Sequence, residues 1–241
     1  MITVHYHGSK RESSFVEAAH ASRGSVRDLV YRSLRHDILH LKLKPGTKMS
    51  EQEVSEHFHV SRTPVREVFV RLFQDGLVEI YPQRGTYVSL INLAHVDEGR
   101  FVREVLEKAI VREACGKLTK EDIVRLESNL AQQEVCRDNQ SYQQMLSLDD
   151  RFHATLFHIC GRQRTWQMVS QLNNDFIRLR VLRLSRHYDW DRIIEQHWAI
   201  LDAIKENQPD RAEEIIQEHL RMVIVEKNLL LAEFPDYFAE V

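Results

Sequence analysis

The chain reads as a mostly α-helical protein, with two close helices and a short β hairpin in its N-terminal third and an all-α bundle after them. Three observations predict this. Apolar residues recur at helical spacing through most of the 241 residues. Clear alternation is confined to residues 77–88, where β-branched and aromatic residues flank a turn. Eight glycines and five prolines leave few places for the chain to turn. A hydrophobic share of 43% and a charged share of 29% are those of a soluble globular protein, and the length allows one large or two ordinary domains.

Residues 1–24 are polar, mixed and without period, and read as a flexible N-terminal arm. From residue 25 to about 41, Val26, Leu29, Val30, Leu34, Ile38 and Leu41 recur at helical spacing, and Pro45-Gly46 ends the segment with a turn. Ser50 with Glu53 is a capping box opening a short helix, on which Val54 and Phe58 share one face. His59-Val60 makes the next turn. Ser61 is a good N-cap for a second helix, where Pro64 is tolerated because the first-turn amides have no intrahelical partner. Val65, Val68, Phe69 and Leu72 form its apolar stripe, so Arg62, Thr63 and Arg66 point away from it. Amides and partial positive charge at a helix N-terminus attract phosphate, and guanidinium forks bind phosphate or guanine edges. This is helix-turn-helix geometry, with the second helix suited to the major groove of double-stranded DNA. An ordinary helical hairpin with surface arginines is the alternative at this point. Asp75-Gly76 stops the helix, and residues 77–81 and 86–88 then flank the turn Pro82-Gln83-Arg84-Gly85. That hairpin is a wing, its tip an arginine beside a glycine that permits close backbone approach.

The bundle, residues 91–241, is expected to hold six or seven helices. Asn92 caps one running to about Cys115, Thr119 a second to about Arg137, and Ser141 a third to about Cys160. A fourth runs from about Arg164 to Ser185, a fifth from about Asp191 to Glu206, and Pro209 opens a sixth to about Ala232. The net charge of −3 conceals a division: residues 25–90 carry +2 and residues 91–241 carry −6. The basic share sits with the helix-turn-helix. No apolar run approaches the roughly 20 residues that span a bilayer, and the N-terminus lacks the apolar core of a signal peptide. Three cysteines, Cys115, Cys136 and Cys160, are odd in number, lack ligand spacing, and read as reduced thiols of a cytoplasmic protein.

Three bundle helices place ionisable groups on their apolar stripes. Asp149 and His153 share a face with Met145, Phe152 and Leu156; His197 lies among Ile193, Ile194, Leu201 and Ile204; His219 lies among Ile215, Ile216, Leu220 and Val223. A buried carboxylate or imidazole is costly unless paired or coordinated. Each histidine alone reads as a satisfied core residue, but four such groups on three inward stripes point to one site. Imidazole nitrogens with one carboxylate oxygen suit a divalent transition metal; spacing does not choose among zinc, nickel, manganese and iron, of which zinc is the first expectation. Arg178, Arg180 and Arg183 form a basic run on the fourth helix, read chiefly as a solvated face, with Arg178 kept as a site candidate.

The runs Leu43-Lys44-Pro45-Gly46, Ser50 to Val54, Val60 to Glu67, Asp75 to Val78 and Pro82 to Gly85 resemble the winged helix of GntR-family transcriptional regulators over residues 25–90. Arg103 to Glu107, Asp149 to His153, Glu195 to Leu201 and His219-Leu220 resemble the FCD ligand-binding domain of the FadR subgroup. The resemblance implies a homodimer on a palindromic operator, contacted by Gln52, Ser61, Arg62, Thr63, Arg66, Arg84 and Gly85. It implies a metal held by Asp149, His153, His197 and His219, with Asp150 the register alternative to Asp149. It further implies a small carboxylate effector met by Arg103, for which a surface pair with Glu107 is the competing reading, and by Arg178. Repression is the more frequent outcome in that family. Runs such as Gly99-Arg100-Phe101-Val102-Arg103 are similar to enteric regulators of sugar-acid catabolism. Two other functions compete: a metalloenzyme with an attached winged helix, and an architectural DNA binder whose helical half only dimerises. The zincin pattern His-Glu-x-x-His is absent, which weighs against the first.

Overall fold

A computed structural model describes residues 26–239 apart from 173, 187, 188 and 226. The expected arm at residues 1–24 therefore lies outside the described residues. The chain divides into two compact units. One extends to Ile91 and takes in the segment from Asp236 onward; the other is Asn92–Pro235.

In the first unit, α1 (Val26–Leu39) is followed by β1 (Lys48–Met49), α2 (Glu51–His57), α3 (Arg62–Gln74), β2 (Val78–Tyr81) and β3 (Gly85–Val88). Its core is the meeting of apolar stripes: Leu34 and Ile38 of α1 and Val65, Val68 and Leu72 of α3 are all fully buried. At roughly 1.5–3 kcal/mol for each large side chain buried, this stripe fixes which face of α3 turns outward. Ser50 caps α2 by accepting from the Glu53 amide. The sheet is antiparallel in the order β1-β3-β2, with Tyr81 opposite Gly85 and Val78 opposite Val88. β1 was not foreseen; two residues are too few to show a period. Ile91, fully buried, donates its amide to the Tyr237 carbonyl (2.8 Å) and accepts from Ala239 (3.0 Å), which seats Phe238 against this unit. The sequence reading had assigned everything after residue 90 to the bundle. A lone bridge between distant segments carries no local signal.

The regular elements described in the second unit are all helices: α4 (Leu93–Ala114), α5 (Lys120–Asp138), α6 (Tyr142–Ile159), α7 (Gln163–Leu172), α8 (Asn174–Ser185), α9 (Trp190–Lys205), α10 (Pro209–Val225) and α11 (Lys227–Glu233). α7 and α8 together occupy the expected fourth helix, on either side of residue 173. α10 and α11 occupy the sixth, on either side of residue 226. Asn92 accepts from the Ala94 and His95 amides, and Thr119 with Asp122 closes a full capping box. Ser141 stands at an N-cap without a side-chain cap bond. Leu126, Leu130, Phe152, Phe157, Leu201 and Ile216 form the core.

α8 departs from the expected pattern. Arg178, Arg180 and Arg183 are buried rather than solvated, alongside Phe176, Leu179 and Leu182 on the same helix. A helix without a polar face belongs inside a bundle. The apolar residues interleaved with these arginines were the signal. Each buried guanidinium then requires a counter-charge, and that requirement shapes the site.

Candidate metal centre and nucleic-acid interface

In the first unit, Ser61, Arg62, Thr63 and Arg66 are exposed at the N-terminal turn of α3. Ser61 takes the extended backbone of an N-cap, yet its hydroxyl makes no cap hydrogen bond. Gln52, also exposed, accepts from Arg62 Nη2 (3.0 Å), and Glu51 accepts from Arg66 Nε (2.8 Å). Such exposed bonds are worth about 1 kcal/mol at most, so phosphate or a base edge can replace them at little cost. At the wing tip Arg84 is exposed and its amide donates to the Tyr81 carbonyl (3.1 Å). Gly85 has φ +111°, a conformation L side chains rarely adopt. The tip therefore presents an arginine on a turn that its glycine makes possible.

In the second unit, Asp149 and His153 from α6, His197 from α9 and His219 from α10 each offer a ligand atom, all within 4.8 Å of one another and all buried. Asp149 and His153 reach one point because they are four residues apart on one helix. Asp150, its side chain 42% exposed, instead pairs with Arg180 Nη1 (2.8 Å). The other Arg180 nitrogen, Nη2, donates to Asp149 Oδ2.

The outer nitrogens of two of the imidazoles are hydrogen-bonded. His197 Nδ1 meets Gln133 Oε1 at 2.8 Å, and His219 Nδ1 meets Gln196 Oε1 at 3.2 Å. His153 Nδ1 approaches Glu107 Oε2 to 2.5 Å, without the alignment of a hydrogen bond. The inner nitrogens are not satisfied. His153 Nε2 and His197 Nε2 are buried without a hydrogen-bond partner, 3.7 and 3.8 Å from the Asp149 oxygens. An orphaned buried polar atom is costly, and two aimed at one carboxylate fit a bound cation.

Protonation favours the same reading. Burial pushes His153 and His219 well below the ordinary imidazole value and His197 down to about 4. Burial alone would raise the Asp149 carboxyl, but the Arg180 guanidinium, with Arg103 adding to it, holds it far below the usual carboxylate range. Neutral imidazoles and an ionised carboxylate are the forms that ligate a metal.

Arg103, also buried, donates through Nε to Glu107 Oε1 (2.6 Å). The pair with Glu107 therefore exists, but inside the bundle and not on its surface. Arg103 Nη2 is buried without a hydrogen-bond partner. Arg103 lines a cleft of about 20 Å³ with Asp149, Arg180, Arg183 and His219. Arg178 is absent from that lining and pairs with Asp175 on its own helix. Gln133 and Gln196 went unrecognised in sequence, Glu107 was read only as a surface partner of Arg103, and Arg180 only as part of a solvated run. Only Arg180 had a readable signal, its place in an otherwise apolar helix.

A winged helix-turn-helix with exposed arginines at the start of its second helix, followed by a helical domain with a buried cluster of metal-ligating side chains, is the architecture of a transcriptional regulator. Residues 26–88 match the gntR family of bacterial regulatory proteins and residues 100–222 match the FCD domain, and the chain belongs to the GntR family. The HTH-type transcriptional repressor RspR of Escherichia coli is 35% identical over 215 residues, covering 89% of this chain and 94% of its own length. The Uxu operon regulator of Haemophilus influenzae is 33% identical over 218 residues, covering 80% of this chain and 78% of its own. The solved structure of E. coli McbR superposes with a TM-score of 0.70 at 22% identity, over 88% of this chain and 99% of that one, which shows a shared fold. The protein is thus a transcriptional regulator and not an enzyme. Among the described residues, no helix is long and apolar enough to cross a membrane.

Proposed function

We propose that this regulator is a homodimeric repressor that binds a palindromic operator and is governed by a small carboxylate, a sugar acid foremost, at a metal held by Asp149, His153, His197 and His219. The observation that carries this reading is the convergence of four buried ligand atoms, two of them imidazole nitrogens with no other partner. Asp149, His153, His197 and His219 would hold a divalent transition ion, which would supply Lewis acidity toward a carboxylate oxygen. Arg103 Nη2 offers the second anchor, a buried guanidinium nitrogen ready for a carboxylate. The names of the relatives favour repression and an operon as the target. On the DNA side, Arg62, Arg66 and Arg84 contact phosphates or bases, and Gln52, Ser61, Thr63 and the Gly85 backbone complete the interface.

The cleft beside Arg103, at about 20 Å³, has room for little more than a water. A sugar acid must widen it. That gives the ligand unequal affinity for two states of the bundle, the condition for any effector to shift an equilibrium. The test has two stages. Protein purified without chelator or histidine tag should carry about one metal per chain, lost in His153→Ala and His197→Ala. Operator duplexes selected from random sequence should then bind more weakly when a hexonate is added. Metal-free wild type would overturn the metal reading, and an effector that binds but leaves operator affinity unchanged would overturn the regulatory coupling.

A further inference from the structure

His197 is held by more than a contact. Its Nδ1 faces Gln133 Oε1 at 2.8 Å, Gln133 Nε2 donates to Asn129 Oδ1 at 2.8 Å, and Asn129 Nδ2 donates to the Leu148 carbonyl at 3.1 Å. Gln133 and His197 are fully buried and Asn129 nearly so, which leaves no solvent to take either role. A carboxamide can be turned end for end, and an imidazole can carry its proton on either nitrogen. The Leu148 carbonyl removes both ambiguities, because a backbone oxygen can only accept. It therefore receives the Asn129 amide hydrogen, which turns the Asn129 oxygen toward Gln133. That oxygen demands the Gln133 amide hydrogen, which turns the Gln133 oxygen toward His197. A carbonyl oxygen at 2.8 Å can be satisfied only by a hydrogen on Nδ1.

We infer that Gln133, aligned by Asn129 against the Leu148 carbonyl, is a positioning residue that fixes the neutral His197 imidazole with its proton on Nδ1 and its Nε2 lone pair toward Asp149. The relay runs along α5, through Asn129 and Gln133 one helical turn apart, between α6 and α9. Its backbone anchor, Leu148, is the residue immediately before the carboxylate of the cluster. The orientation of one ligand is thereby tied to the helix that carries two others.

This inference rests on the metal reading only for its consequence, so the two are tested apart. The tautomer is read directly by imidazole nitrogen NMR on full-length wild type stripped of metal, at a pH where His197 is neutral. The expected result is a protonated Nδ1 and a pyridine-like Nε2 for His197. A protonated Nε2 would overturn the relay whether or not metal binds. The consequence is read by competition of zinc or nickel against a chromophoric chelator. Gln133→Leu, unable to accept, should bind metal about 10- to 100-fold more weakly, and Gln133→Glu, which still accepts from Nδ1, should recover most of that loss. Folded Gln133→Leu with wild-type metal affinity would also overturn it. Wild type that holds no metal would sink the metal reading alone and leave the NMR result to decide this one.

Discussion

The two units keep their functional side chains in opposite conditions. In the winged unit Arg62, Arg66 and Arg84 are exposed, and the first two rest on Gln52 and Glu51 through bonds that water or phosphate can replace. In the helical unit Asp149, His153 and His197 are withdrawn from water, and an imidazole nitrogen there has nothing to exchange with except what the protein or a ligand supplies. An exposed reader must be free to change partners along DNA. A buried cluster of the kind proposed must hold its groups in one geometry before anything arrives. Energy is therefore concentrated in the second site and nearly absent from the first, so damage should show as lost stability in one and lost affinity in the other.

The harshest test of that contrast is Asp149→Asn. It strips Arg180 of one of its two carboxylates inside the bundle, and breaking a buried pair in this way costs about 3 kcal/mol or more. A thermal melt should fall by roughly 6–12 °C for a chain of this size. An unchanged melting temperature would show that the cluster is not under the electrostatic load described. Arg66→Ala should do the reverse. The melt should stay within about 2 °C, since an exposed pair is worth about 1 kcal/mol or less, while operator affinity falls by about 1–3 kcal/mol, roughly 5- to 150-fold. Equal operator affinity in the folded variant would remove Arg66 from the interface. The smallest effect is expected of Gly85→Ala, which combines the two modes. Its φ of +111° strains any Cβ, which would also come within 3.0 Å of the movable Lys48 Cε. About 1 kcal/mol of strain should lower the melt slightly and weaken operator binding with it. A variant that loses neither would show that the wing tip tolerates a side chain where it meets DNA.

The same contrast governs what could be read from sequence. The reading surface is local: Ser50 to Arg66 contains both helix starts, the turn and the arginines, so short-range rules place Arg62 and Arg66 without knowledge of the fold. The ligand cluster is assembled from residues 70 apart, Asp149 to His219, and spacing alone could say only that each lies on an apolar stripe. The supporting groups were beyond reach for a further reason. Glu107, Gln133 and Gln196 look like ordinary polar positions on amphipathic helices until the neighbouring helix is in place. Arg178 and Arg180, two residues on one helix and about 200° apart around its axis, cannot be ranked from sequence before it is known what packs on each side.

The bridge between Ile91 and Phe238 has a consequence for inheritance and for engineering alike. By chain order the helical half is an insertion, entered after Ile91 and left before Asp236, within a discontinuous DNA-reading unit. A premature stop just after Glu233 would leave every bundle helix encoded, yet uncover Ile91 in the other unit. Substitutions at Phe238 that break this bridge are therefore expected to act on DNA binding.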